Sequence, residues 1–366
     1  TDEDSTENMT FNHSMTPRER VLAAVRHRPV DRLPTDMWAT TEVYDKLFVH
    51  SGVHDLVSLY DRLGIDGIIG IAPPYIGPPL RVEGDYQEDE WGVGYRPQAY
   101  ATGVYLEQVR CPLAEAETIA DLEAYRWPSP DWYDYAAIPR LAAQYPDRAI
   151  KCGYAAVFFS HIRLRGLELA LIDPILRPEF THHLLGRISD FLTEYHRRCF
   201  EAGRGVIDLT EVTDDFGHQG GLLIRPQVFA AFYRAPIQRA IDLARSYGLI
   251  IFHHDDGDIR PLLPTLTEMG IDVLNPVQWR SGNWDLAALK TDYGGRLCFH
   301  GGVDNQTTLP FGTPEDVRRE VRWLVETLGR DHTGYIIAPC HNLQPHTPVE
   351  NILALYEAAR EFGTFI

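Results

Sequence analysis

Short apolar runs alternate along the chain with longer stretches whose apolar residues recur at helical spacing. Eight such runs read as strands: 33–39, 66–71, 149–153, 206–211, 249–254, 272–275, 296–300 and 335–338. Helical patterns fill the intervals, as at 178–202, 226–247, 259–269, 314–328 and 348–362. Pro178, Pro226, Pro314 and Pro348 stand near helix starts, where a missing N–H costs nothing. Gly203, Gly248, Gly270 and Gly329 mark helix exits. Thr16-Pro17-Arg18-Glu19 reads as a capping box that opens a helix stopping before Pro29. Alternating strand and helix implies parallel pairing with crossover helices, and eight units predict a (β/α)₈ TIM barrel. An open doubly wound sheet is the competing arrangement. Residues 77–111 break the alternation with Pro-rich turns and short alternating runs, so they read as a β-hairpin insertion after the second strand. Residues 1–14 read as a flexible tail and 15–366 as one barrel domain.

Composition narrows the class. Of 366 residues, 44% are hydrophobic and 23% charged, which suits a large core and excludes wholesale disorder. Acidic residues outnumber basic ones 52 to 34, for a net charge of −18. Such a surface repels phosphate backbones and anionic lipid, so nucleic acid and membrane are poor partners. No apolar run reaches the roughly 18 residues of a membrane span. The acidic first residues are unlike a signal peptide, and the five scattered cysteines lack a C-x-x-C. A reducing, cytoplasmic setting is the expectation.

In a parallel barrel the chemistry collects at the carboxyl ends of the strands. There this chain places Asp36-Met37-Trp38, Glu211 with Asp214-Asp215, His253-His254-Asp255-Asp256-Gly257, Asn275, His300 with Asp304, and Cys340-His341. The sharpest set is His254-x-Asp256 with Cys340-His341. Two imidazoles and a carboxylate suit a catalytic divalent ion, zinc ahead of iron, and Gly257 permits the turn that points both side chains one way. His341 is the preferred third ligand, with Cys340 the alternative. The same residues also suit a hydrogen-bonded His–Asp pair that positions substrate without metal. Glu211 and Asp214 are candidate proton-transfer groups, with Asp214 preferred over Asp215 as the inward-facing aspartate. Trp38, Tyr154, Asn275, His300 and Asp304 are candidate substrate contacts. Arg163 and Arg165 read as ion-paired. There is no G-x-G-x-x-G after a strand, Walker A or G-x-S-x-G, so nicotinamide, nucleotide and serine-hydrolase chemistry lose their usual support.

With these residues in view, the chain resembles the uroporphyrinogen decarboxylase superfamily, which includes cobalamin-linked methyltransferases. The resemblance is carried by residues 15–24 and 28–34 and by 214–221 (D-D-F-G-H-Q-G-G). Residues 270–278 (G-I-D-V-L-N-P-V-Q) and 341–351 (H-N-L-Q-P-H-T-P-V-E-N) carry it further. It implies a (β/α)₈ barrel. In the decarboxylases an R-Q-A-G-R segment grips substrate carboxylates; here residues 32–38 occupy that region without it. In the methyltransferases zinc is bound by H-x-C and a later Cys; His254 matches the His, Asp256 stands at the Cys, and His341 matches the later Cys. The resemblance therefore implies metal-assisted methyl or one-carbon transfer on a small polar substrate, with a corrinoid protein as partner. Metal-free decarboxylation of a small carboxylated substrate is the alternative, and a non-catalytic ligand-binding barrel the second. A homodimer is the candidate assembly.

Overall fold

Local signals start the chain. In the computed structural model, which describes residues 14–100 and 103–365, Thr16 accepts from Glu19 N–H and the Glu19 side chain answers to Thr16 N–H. That box opens the helix Pro17–Val25. Val21, Leu22 and Val25 then pack with Ala149, Leu209, Ile250, Val273, Cys298 and Ile336 from the strand starts, so this helix stoppers the amino-terminal end of the barrel. The proposed tail falls almost wholly outside the described residues.

Seven parallel strands follow one another around the wall in chain order: Ile68–Ile71, Ala149–Ala156, Leu209–Thr213, Ile250–His254, Val273–Asn275, Cys298–Val303 and Tyr335–Pro339. Five of them are buried at every position, as strands covered by helices outside and side chains inside must be. The eighth position is held by residues 33–39, which do not form the regular strand the pattern predicts. They meet the last strand through a parallel bridge, Thr35 to Ile337, and bonds from Asp36 N to Ile337 O and from Ile337 N to Pro34 O. Toward the first strand only Gly67 N to Thr35 O is a backbone bond. Carboxylates supply the rest: Asp36 Oδ1 accepts from Ile68 N at 3.0 Å and Asp66 Oδ2 from Thr35 N at 2.9 Å. Pro34 has no N–H to give, and the side chains close what the backbone ladder leaves open. The fold is a (β/α)₈ barrel with one irregular stave.

The insertion is larger than a single hairpin. Val82–Glu83, Tyr86–Glu88, Gly94–Tyr100 and Gly103–Arg110 make a four-stranded antiparallel meander. Arg163 ties it to the barrel through Tyr95 Oη, 3.0 Å from Nε, and through Asp89. Arg165 is paired with Asp173 at 2.6 Å and buried. The predicted helix 226–247 has a π-type turn, Phe229–Tyr233, before its main body Arg234–Ser246. Among the described residues no helix is long and apolar enough to cross a membrane, and none of the five cysteines is bridged.

Candidate metal centre at the barrel mouth

The strand Ile250–His254 sets the site by its two-residue period. His253 and Asp255 turn away from the lumen. His253 Nδ1–H donates to Val212 O at 2.7 Å, and burial pushes its pKa down to about 4. Asp255 Oδ1 accepts from Phe216 N and Gly217 N at 2.9 and 3.1 Å, which pins the neighbouring loop. His254 and Asp256 take the other face. Gly257 follows at φ +85°, and a Cβ there would lie 2.4 Å from His218 N, so two loops cross where only glycine fits.

His341, after the last strand, completes a triad. Asp256 Oδ2 is 3.5 Å from His341 Nε2 and 4.0 Å from His254 Nε2, and one donor atom from each residue lies within 4.8 Å of the others. A tetrahedral ion with bonds of about 2.1 Å places its ligands about 3.4 Å apart, so small side-chain movements close the set. Asp256 Oδ1 is buried without a hydrogen-bond partner among the described residues. Burial lowers the His341 pKa, against the pull of Asp256, and so favours the neutral imidazole that ligation requires. The residues fit a divalent ion.

Behind His254 runs a buried chain of hydrogen bonds. His254 Nδ1 meets Asn275 Oδ1 at 2.6 Å, Asn275 Nδ2 meets His300 Nδ1 at 2.7 Å, and His300 Nε2 meets Asp36 Oδ2 at 2.9 Å. Burial works against the Asp36 carboxylate, but hydrogen bonds from His300 and Ile68 N–H hold its pKa below the ordinary value. An ionised Asp36 only accepts, so His300 Nε2–H donates to it. With one proton on that ring, His300 Nδ1 accepts from the Asn275 amide. Asn275 Oδ1 then accepts from His254 Nδ1–H, and the Nε2 lone pair faces Asp256 and His341. Ligating histidines are oriented by this kind of outer partner.

Trp38 lies against the same group, its ring 5.4 Å from His254 and 6.3 Å from His341, with Nε1 donating to Asp36 Oδ2 at 3.2 Å. Lys151 Nζ sits 5.1 Å from the Trp38 ring and is paired with Glu211. Tyr154 stands half-exposed at the rim, and burial, then Glu211, raises its hydroxyl pKa.

The fold thus brings His254, Asp256, His341 and Trp38 together and distributes the other candidates differently. Asn275 and His300 serve the buried chain. Asp304 is not at the triad: it accepts from the backbone N–H of Gln306, Thr307 and Thr308 and pairs with Arg280 at 2.9 Å. Cys340 is buried, its thiol toward Val277 O at 3.4 Å. Asp214, preferred as the inward aspartate, is buried with Oδ1 accepting from Phe159 N at 2.8 Å. Its neighbour Asp215 faces the triad, with Oδ1 3.7 Å from His254 Nε2, and burial raises its pKa. Sequence reasoning passed over Lys151, although a lysine inside the apolar run Ala149-Ile150-Lys151-Cys152 was the available signal. It also passed over a cavity of about 370 Å³ beside Asp256 and His341, lined by side-chain amides.

Comparison with known proteins agrees with this architecture. A solved methyltransferase from Methanosarcina mazei superposes with a TM-score of 0.62 at 20% identity, covering 95% of this chain and 99% of that one, and so shares the fold. The chain is 25% identical over 192 residues to a uroporphyrinogen decarboxylase of Chlorobaculum tepidum, which is 50% of each. It is 28% identical over 189 residues to that of Legionella pneumophila, 50% of this chain and 49% of the other. The matches thus span about half the length of these curated relatives. The uroporphyrinogen decarboxylase (URO-D) family profile matches residues 95–362, most of the barrel, and the chain belongs to that family.

Proposed function

We propose that the protein is an enzyme of metal-assisted methyl or one-carbon transfer on a small polar substrate, with a divalent ion, zinc ahead of iron, held by His254, Asp256 and His341. The convergence of those three donors, with His254 oriented by Asn275, His300 and Asp36, carries the reading. When bound, such an ion supplies Lewis acidity at a substrate oxygen. The chain's own groups do the rest. Asp215, raised by burial, is the carboxyl placed to hold a proton beside His254. Glu211, tied to Lys151, and Asp214, which accepts from Phe159 N, are the further carboxylates for proton transfer. Trp38 walls the site with rigid apolar surface. The methyltransferase that shares this fold end to end is named for such chemistry, and a corrinoid partner protein is the methyl carrier this reading calls for. The unbridged cysteines suit a reducing compartment, and we place the enzyme in the cytoplasm.

The test is metal content by inductively coupled plasma mass spectrometry on protein purified without a histidine tag or added metal. Near-stoichiometric zinc or iron is expected, absent from His254→Ala along with turnover. A wild-type protein that stays folded and takes up no added ion overturns the reading.

The names of the curated relatives favour a second reading, metal-free decarboxylation. Release of CO₂ that survives exhaustive chelation is its signature. Arg32, the one arginine of residues 32–38, is already committed to Asp66, with Nη1 at 2.7 Å from Oδ2.

A further inference from the structure

The cavity beside Asp256 and His341 is lined by Gln219, Gln278, Asn305 and Gln306, with His218 at its edge. These residues come from the loops after three different strands, so the fold assembles a carboxamide-rich wall that no local motif encodes. Among the described residues none of the lining is Arg, Lys, Phe, Tyr or Trp, and its one carboxylate, Asp256, belongs to the triad.

The polarity of the wall follows from bonds already made. Gln278 Oε1 accepts from Gly257 N at 2.6 Å, which leaves its NH₂ as a donor. His218 Nδ1 accepts from Gly220 N at 3.1 Å, which puts its proton on Nε2, also a donor. Asn305 Nδ2 donates to Asn342 O at 3.5 Å, which leaves its carbonyl as an acceptor and its second N–H as a donor. Gln306 enters hydrogen bonding among the described residues only through its backbone N–H, to Asp304 Oδ1, so its side-chain amide offers both. A carboxylate or sulfonate finds amide donors there, but no cation to offset its charge, and it would sit beside the Asp256 carboxylate. An ammonium finds amide carbonyls there, but no carboxylate beyond Asp256, which belongs to the triad, and no aromatic face. A hydroxyl both donates and accepts, and matches such a wall.

We propose that this cavity is the recognition subsite for a neutral, hydroxyl-rich substrate. The proposal rests on the function above and deepens it by naming the substrate class. The test is ligand-observed NMR titration of the full chain with three probes that share one ring: methyl glucoside, methyl glucuronide and methyl glucosaminide. They differ in charge at a single substituent. The glucoside is expected to bind at least tenfold more tightly than either charged probe. Gln306→Leu, which breaks no bond of the folded chain, is expected to weaken the glucoside about threefold to tenfold, the worth of one neutral hydrogen bond. Equal or tighter binding of the glucuronide, no binding of the glucoside, or an unchanged Gln306→Leu variant overturns the proposal. Metal content measured on the same samples separates the two readings. Protein without metal that keeps the neutral preference retains the subsite and loses the metal, and the opposite pattern does the reverse.

Discussion

The two ends of the barrel bury comparable carboxylates and treat them differently. At the amino-terminal end Asp66, Asp208 and Asp272 stand just before strands, and each accepts from a backbone N–H of the neighbouring stave: Thr35 at 2.9 Å, Ile150 at 3.0 Å and Ile251 at 2.7 Å. Each also meets an arginine: Arg20 and Arg32 at Asp66, Arg18 at Asp208, Arg245 at Asp272. These carboxylates staple adjacent strands. At the mouth Asp214 Oδ2, Asp255 Oδ2, Asp256 Oδ1 and His253 Nε2 are buried without a hydrogen-bond partner among the described residues, the second and last of them 3.7 Å apart. Burial alone does not separate Asp214, Asp255 and Asp256 from Asp66, Asp208 and Asp272; satisfaction of their oxygens does. An unmet buried oxygen costs stability, and at the mouth that cost accompanies the donors of the triad.

Three measurements press on this contrast. The largest effect belongs to Asp66→Ala, which takes from buried Arg20 one of its two carboxylates, leaving Asp31, and removes the carboxylate that holds Arg32 and Thr35 N. Urea denaturation should show a loss of about 3–5 kcal/mol, while the metal bound per folded molecule stays unchanged. A loss below about 1 kcal/mol, or a lost ion, breaks the division between a structural end and a functional one. Next is Asn275→Leu, which cuts the chain that orients His254 without removing a ligand. Metal affinity, read by chelator competition, should fall about 10- to 100-fold. Unchanged affinity means that the triad needs no support from behind. The smallest effect is Asp214→Asn. Burial raises the Asp214 pKa well above its ordinary value, so the folded chain holds a proton there that the unfolded chain releases. That contribution is complete below about pH 3.8 and is lost as pH rises toward the folded pKa. Asparagine mimics the protonated acid, so the variant should gain stability, and gain more at pH 8 than at pH 5. Equal gains at both pH values put the strain elsewhere.

Much of this was readable without coordinates. The capping box at Thr16 and Glu19, the long helices and the order of the staves depend on residues within a few positions of one another. So does the placement of His254 and Asp256 on one face, because the strand keeps its two-residue period up to the turn at Gly257. The period fails where the chain stops being extended. Beyond Thr213 the backbone turns to give Asp214 N to His254 O, and parity no longer tells Asp214 from Asp215. The irregular stave at 33–39 is likewise hidden, because Asp36 and Asp66 do the work of backbone donors that no strand pattern counts.

By itself, then, the sequence determined the barrel, its carboxyl-end chemistry and the three candidate donors of the triad, with Cys340 as the alternative to His341, since those rest on local geometry and on the order of elements. Tertiary structure alone decided that His341 comes within reach of the other two while Cys340 turns to Val277 O, that Asn275 and His300 stand behind His254, that Asp304 caps a turn, and that four amides meet in one cavity. The His300–Asp36 bond spans 264 residues. A contact of that kind comes into being only when the sheet closes, because closure sets which strand ends face one another across the mouth.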